Sequence, residues 1–228
     1  MIRRDFILKT VLGTGAVMLP DWSIAKNNND LPNVLLIGDS ISLGYTPLVV
    51  GMLYGKVNIH RPLNSGKAYL NCEGTTKGVE MMDEWLGDKK WDVIHFNFGL
   101  HDLKHVDPET GRNSNKPTDP QQADINAYEK NLTEIVKKLK KTGAKLIFAT
   151  TTSFPDRPGG PLRRADQTAK YNEVALRIMK KNKIEVNDLN ALTLPRLSEL
   201  QPPSNVHFTP EGSLLMAAQV ADKIKKAL

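Results

Sequence analysis

The chain is poor in cysteine, with one, Cys72, in 228 residues. A single thiol excludes an internal disulfide and any zinc site built on several cysteines. The fold must therefore be held by its own apolar core. Aromatic residues are also scarce, at 6%. None interleaves with basic residues along a segment, so stacking platforms for nucleic-acid bases are lacking. The basic excess is mild, +6, and its lysines gather in "KKLKK" and "KIKK", the pattern of solvated helix faces; nucleic acid is not an expected partner. No apolar run reaches the roughly 20 residues that a spanning helix needs. Internal repeats and low-complexity segments are missing too. What is present, 40% hydrophobic and 25% charged residues, suits one globular α/β domain with a substantial core.

The N-terminus is a separate segment. "RRDFILKTVLGTGAVMLP" pairs Arg3 and Arg4 with Phe6 and a short, glycine-containing apolar run. It resembles a twin-arginine export signal, with Ile7-Leu8-Lys9 stretching the usual Phe-Leu-Lys by one residue. Ser23-Ile24-Ala25 supplies the small residues a signal peptidase requires. The expectation is an export signal over 1–25, a polar linker over 26–32 ("KNNNDLP") and a single globular domain over 33–228. It implies a periplasmic or secreted protein with no stable membrane insertion once the signal is removed. No cysteine follows the signal, so a lipid anchor is not expected.

From residue 33 onward, strand and helix patterns alternate. Apolar, β-branched runs stand at Val34–Ile37, Val57–Ile59, Val93–Phe98, Leu146–Ala149 and Ile184–Val186. In "DINAYEKNLTEIVKKLKKTG", Ile125, Tyr128, Leu132, Ile135, Val136 and Leu139 share one face at helical spacing, and Gly143 follows as the stop. Thr209, Pro210 and Glu211 read as the cap and first turn of a last helix. Such alternation implies right-handed crossovers and a parallel sheet covered on both faces. Ligands of open parallel sheets bind beyond the carboxyl ends of the strands. Asp39 and Ser40, His101 and Asp102, and Thr150 to Ser153 follow three of these strands. Two long polar loops, 99–120 and 151–166, leave the same edge, and loops of that length are usually functional.

The turn "GDSISLG" excludes three motifs. Tyr45 stands where a phosphate loop needs lysine, there is no G-x-G-x-x-G, and Ser42 replaces the second glycine of G-x-S-x-G. A strand-end serine at a helix start remains, where backbone N–H groups favour a developing negative charge. An ordinary structural turn fits that stretch equally well. His207, in "PPSNVHFTPEG", changes the balance, because an early strand-end serine and a late loop histidine can meet in space as a Ser-His pair. Asp39 reads as a residue bonding backbone N–H groups of its own turn. His101 and His105 have i,i+4 spacing but no third ligand in the pattern, so no metal and no cofactor are expected. His95 falls inside an apolar strand and reads as a core histidine. His60, beside Arg61 at the end of the second strand, has nothing specific to mark it.

These residues carry a family resemblance. "GDSIS", "LNSG", "NFGLHD" and "SNVHFTPEG", in that order across the domain, resemble blocks of the SGNH (GDSL-type) hydrolase superfamily. The resemblance implies a three-layer α/β/α sandwich whose five-stranded parallel sheet has the flavodoxin-like order 2-1-3-4-5. It also implies a nucleophile at Ser40, a base at His207, and an oxyanion hole from Ser40, Gly66 and His101. Two positions depart from the family: His101 replaces an oxyanion-binding asparagine, and Ser204 occupies the place of the acid three residues before the histidine. Asp39, Asp102 and Ser204 are then orienting or structural residues, and the acid has no assigned residue. The implied function is an exported serine esterase removing short acyl groups, acetyl first among them, from a glycan or small-molecule ester through an acyl-enzyme. Lys67, Tyr69, Arg163 and Arg164 are loop residues available to a polar or anionic substrate, with plain solvation as the simpler reading. The alternatives are a lysophospholipase or thioesterase of the same superfamily, or a catalytically silent carbohydrate-binding homologue.

Overall fold

The computed structural model describes residues 30–156 and 158–228. The expected export signal, and residues 26–29 of the linker, lie outside the described residues. Five strands form the sheet: β1 (Asn33–Ile37), β2 (Asn58–His60), β3 (Val93–Phe96), β4 (Lys145–Ala149) and β5 (Glu185–Asn187). All neighbours pair in parallel, in the order β2-β1-β3-β4-β5. This is the expected topology. Inner strands β1 and β3 are covered on both faces, which is why Val34–Ile37 reads as a continuous apolar run with no alternation and β3 is interrupted only by the buried His95.

The crossovers are α1 (Ser40–Met52), α2 (Thr75–Leu86), α3 (Ile125–Lys140) and α4 (Gln167–Asn182), followed by short α5 (Leu189–Thr193) and α6 (Leu197–Leu200) and by α7 (Pro210–Ala227). Helix α1 packs on α7, while α2 packs on α3 and α3 on α4, so the helices form two layers around the sheet. In α3 the i, i+3/i+4 stripe Tyr128, Leu132, Ile135, Val136 and Leu139 is buried. Asp124 caps its start by accepting from the N–H groups of Asn126 and Ala127, at 3.0 and 2.8 Å. Gly78 permits the close approach of α2, since a methyl there would come within 2.7 Å of Ile135. The start of α7 is built from Thr209, whose hydroxyl accepts from Gly212 N–H at 3.2 Å, and Pro210 in its first turn. No helix among the described residues is long and apolar enough to cross a membrane.

The long loops are tied to each other rather than loose. His105 N–H donates to Leu162 O at 2.9 Å, and Leu162 N–H to Ser114 O at 2.8 Å. Gly159 N–H donates to Ser204 O at 2.6 Å, joining the second loop to the segment that precedes α7. One edge of the sheet thus carries a bonded rim over the turn that follows β1.

Candidate active site

Ser40 opens α1 directly beyond β1. The turn that presents it is closely braced. Asp39 caps the helix through Oδ1, which accepts from Ile41 N–H at 2.9 Å, and its backbone carbonyl accepts from the Ser42 hydroxyl at 2.6 Å. The buried Arg61 guanidinium donates to Gly38 O and Asp39 O and, through Nε, to Leu70 O at 3.2 Å. Gly38 must be glycine for packing reasons, because a Cβ would stand 2.8 Å from Ser42 Oγ. Asp39 therefore serves as a structural cap. Burial pushes its carboxyl up, and the Ile41 N–H and Arg61 pull the other way.

His207 reaches the same point from the opposite end of the chain. Its Nε2 is 2.8 Å from Ser40 Oγ. Its Nδ1 is 3.0 Å from Asn205 Oδ1, and its own backbone N–H donates to that same oxygen at 3.0 Å. The second bond decides the first. A backbone N–H needs an acceptor, so the Asn205 amide turns its oxygen toward the ring, and Nδ1 must carry the proton. Nε2 is then left with its lone pair facing the serine hydroxyl, the arrangement a general base requires. Gln201, buried, fixes the loop by donating to Ser153 O and Val206 O, both at 3.1 Å.

His101 follows β3 in a tight turn with Leu103 N–H on Gly99 O at 3.1 Å. Burial pushes its imidazole down to about 3, and the charges of Lys104, Arg163 and His207 add to that. It is a neutral ring. Its Nδ1 is buried and faces no partner, so the ring N–H belongs on Nε2. Asp102, fully buried, takes Thr75 N–H at 2.8 Å and the Thr75 hydroxyl. Burial raises its carboxyl to about 7 despite those bonds. It fastens the start of α2 to the turn after β3, and the hydrogen bonds of its carboxyl among the described residues go to Thr75.

A family model, the GDSL-like Lipase/Acylhydrolase family, matches residues 36–215, well over half of the chain. The chain belongs to that family. As such it is a hydrolase acting on ester bonds. None of the curated proteins matches the sequence significantly. Solved structures share the acylhydrolase fold at low identity. A lipase/acylhydrolase from Enterococcus faecalis is 21% identical, covers 86% of this chain and 96% of its own, and superposes with a TM-score of 0.67. The acetyl xylan esterase AlAXEase is 18% identical over 84% of this chain and 99% of its own, at 0.64. A catalytic mutant of Axe2, an acetylxylan esterase from Geobacillus stearothermophilus, is 17% identical over 85% and 94%, at 0.65.

Within this acylhydrolase, several expected residues fall away from the Ser40–His207 pair. Gly66 sits in an exposed turn that closes on itself, with Lys67 N–H on Asn64 O at 2.9 Å and Ala68 N–H on Asn64 Oδ1 at 3.0 Å. Among the described residues no hydrogen bond joins it to Ser40. The same connection meets the serine turn further on, where Cys72 N–H donates to Gly38 O at 3.1 Å. Ser204 is exposed and its φ is 54°, with its carbonyl engaged by Gly159; its side chain does not hold His207. Asn205 does, one position along. The signal for Asn205 was present, because an Asn two residues before a histidine in a turn-rich stretch readily caps the histidine N–H. His105 lies in an isolated antiparallel bridge with Gln121 rather than on a helix, and its Nδ1 bonds Asp119 O at 2.6 Å. Among the described residues no group of three metal-ligating side chains converges. His95 is a core residue whose Nε2 accepts from Asn187 Nδ2 at 3.0 Å, with burial pushing it down to about 4. His60 pairs with Asn33 Oδ1 at 3.1 Å and Trp91 edge-on. Arg164 is exposed and paired with Asp166 at 3.2 Å, whereas Arg163 is buried. The Cys72 thiol is buried and pushed up by that burial, an inert packing group.

Proposed function

We infer that this acylhydrolase is an exported serine esterase that removes short acyl groups, acetyl above all, from a carbohydrate. The observation that carries the reading is the 2.8 Å contact of His207 Nε2 with Ser40 Oγ, with Asn205 fixing the tautomer behind it. Ser40 is the nucleophile. As Oγ attacks the ester carbon, its proton passes to His207 Nε2, and the carbonyl oxygen becomes an oxyanion. The Ser40 N–H, at the start of α1, and the neutral His101 Nε2–H are its donors. His207 then gives the proton to the departing alcohol oxygen as the C–O bond breaks. The resulting acyl-enzyme is hydrolysed by water through the same two steps in reverse. His101 suits this role because burial keeps it an uncharged donor across the working pH range. Export is supported by the Arg3-Arg4 segment, and a carbohydrate ester by the polar rim and by the acetyl xylan esterases that share the fold.

One observation favours a second reading. A mainly apolar groove between α1 and α7, lined by Pro47, Leu48, Phe208 and Leu214 together with Glu211 and Ser213, begins at the residue next to His207. It would accept the chain of a long acyl ester, as in a lysophospholipase or thioesterase.

The test is intact-mass labelling with a fluorophosphonate, followed by turnover of acetylated glycans and an ester series of increasing chain length. One adduct on the wild type, none on Ser40→Ala and loss of labelling in His207→Ala are expected, with acetyl preferred over long chains. A folded wild type that neither labels nor turns over would leave a carbohydrate-binding homologue; a rate rising with chain length would favour the groove reading.

A further inference from the structure

The Ser40–His207 chemistry leaves Arg163 unused. Its side chain is buried, with 8% of the residue exposed. Its single hydrogen bond runs from Nε to Leu100 O at 3.0 Å, and it has no ion pair among the described residues. Nη1 and Nη2 therefore lack partners, yet neither is among the atoms sealed in the interior. A guanidinium keeps its charge when buried, so an unpaired one is costly unless something anionic meets it.

Its place is the edge where the site is built. Leu100, which holds Nε, immediately precedes His101. Arg163 and Asp39, the residue before Ser40, act on each other, and the Arg163 charge also acts on His101. Lys104, half-buried and without an ion pair among the described residues, acts on His101 as well. The loop that carries Arg163 is bonded at Leu162 to His105 and at Gly159 to Ser204, so the guanidinium is pre-positioned. Neighbouring Arg164 shows the contrast, exposed and already paired.

We propose that Arg163, with Lys104 beside it, forms an anion subsite of the Ser40–His207 centre that takes a carboxylate carried by the ester substrate. With Nε committed to Leu100, the two terminal nitrogens offer the parallel N–H pair that matches a carboxylate's two oxygens. The proposal deepens the esterase reading and rests on it for the identity of the reaction. It makes the substrate an acidic ester, with the charge on the alcohol part or on the acyl part.

The experiment compares charged and neutral partners on wild type, Arg163→Met and Arg163→Lys. The alcohol arm uses an O-acetylated methyl galacturonoside against the same sugar with its carboxylate blocked as the methyl ester. The acyl arm uses monophenyl adipate against phenyl hexanoate. In one of the two arms the wild type should prefer the charged ester. There Arg163→Met should lose about tenfold or more in kcat/KM, mainly through KM, with the neutral ester changed by less than about threefold. Arg163→Lys, which keeps charge without the fork, should fall between. No preference in either arm, or an equal loss on charged and neutral esters, would overturn the subsite and leave Arg163 as a brace of the Leu100–His101 turn. Calorimetric titration of Ser40→Ala with galacturonate and with monomethyl adipate provides a readout independent of turnover. Binding of either acid that Arg163→Met abolishes supports the subsite even if no ester is hydrolysed, in which case it is the esterase reading that fails. Absence of binding by both acids, with esters turned over without charge preference, rejects the subsite alone.

Discussion

Asn205 is the most informative residue to change, because it holds His207 with a neutral amide where a carboxylate would add charge. In the wild type, Asn205 Oδ1 accepts from Nδ1 and from the backbone N–H of His207, both at 3.0 Å. During attack the ring becomes an imidazolium, so the bond at Nδ1 becomes charge-assisted. Such a bond is worth about 1.5–3 kcal/mol. Asn205→Ala removes it, and kcat/KM should fall by roughly 10- to 150-fold. Asn205→Asp keeps both acceptor contacts and adds a full negative charge. At about 4 Å the attraction to the imidazolium is about 1 kcal/mol in water and about 4 kcal/mol at an effective dielectric near 20. His207 is exposed and Asn205 half-buried, which places the gain toward the lower end, about 1–2 kcal/mol. Asn205→Asp should therefore turn over a neutral ester such as phenyl acetate roughly 5- to 30-fold faster than the wild type. Initial rates at low salt, repeated at high salt, measure both numbers, and the Asp gain should shrink as salt rises. If Asn205→Ala stays within about twofold of the wild type while Ser40→Ala is dead, Asn205 does not orient the base, and the assignment of Nδ1 as the protonated nitrogen fails with it.

His101→Ala should lose about 100-fold or more in kcat as an oxyanion donor is removed, with His101→Gln retaining part of it; equal rates for all three proteins would take His101 out of the mechanism. The same ring has a stability consequence. Its folded value, about 3, lies below the ordinary 6.5, so its contribution is present above pH 6.5 and lost as pH falls toward 3, and urea titrations of His101→Gln should show a shallower acid decline than wild type. Asp102 works in the opposite direction. Its carboxyl is raised from 3.8 to about 7, so burial costs stability above pH 7 and that cost is relieved as pH falls from 7 to 3.8. Between pH 4 and pH 8, the stability of Asp102→Asn relative to wild type should improve by roughly 4 kcal/mol, and a difference that stays constant with pH would refute a raised carboxyl. Gly38→Ala drives a methyl to 2.8 Å from Ser42 Oγ, whose hydrogen bond holds Asp39 O. It should cost about 1–3 kcal/mol in urea unfolding and slow fluorophosphonate labelling of Ser40; wild-type values for both would mean the turn is less tightly packed than described.

The parts of this molecule that were readable from sequence are those in which one local pattern has one structural solution. The apolar run Val34–Ile37 becomes the inner strand β1, because a strand buried on both faces cannot alternate. The stripe from Tyr128 to Leu139 and the Thr209-Pro210 start of α7 also follow from periodicity and capping. The contact of Ser40 with His207 needed more, since 167 residues separate them and only the strand order brings their loops to one edge. Gly66 shows where pattern misleads. "LNSG" supplies the right residue types, but Asn64 turns its side chain and carbonyl onto Ala68 and Lys67, closing that stretch into a private turn. Asn205 stands outside the family pattern, which puts a carboxylate three residues before the histidine, whereas here the ring is held by an amide two residues before it. Arg163 and Arg164 are indistinguishable as adjacent letters. Burial against Leu100 separates them, and burial of that kind depends on how two loops cross.

These departures have a common electrostatic sense. The histidine is oriented by a neutral amide, the expected oxyanion donor is a ring kept uncharged, and the buried Asp102 is raised to about 7. Around Ser40 the remaining fixed charges without an ion-pair partner include Arg163 and Lys104. A carboxylate at position 205 would help the imidazolium, yet it would also repel an acidic substrate approaching the same edge. The two effects can be separated in one protein. Asn205→Asp should speed neutral esters, as argued above, while its gain on a substrate carrying a carboxylate is smaller or reversed. The ratio of the two kcat/KM values, measured against wild type at low and high salt, isolates the repulsion, because screening restores the charged substrate selectively. An equal gain on charged and neutral esters would mean that the amide at Asn205 has no bearing on substrate charge. The Arg163 subsite would then have to stand on its own variants.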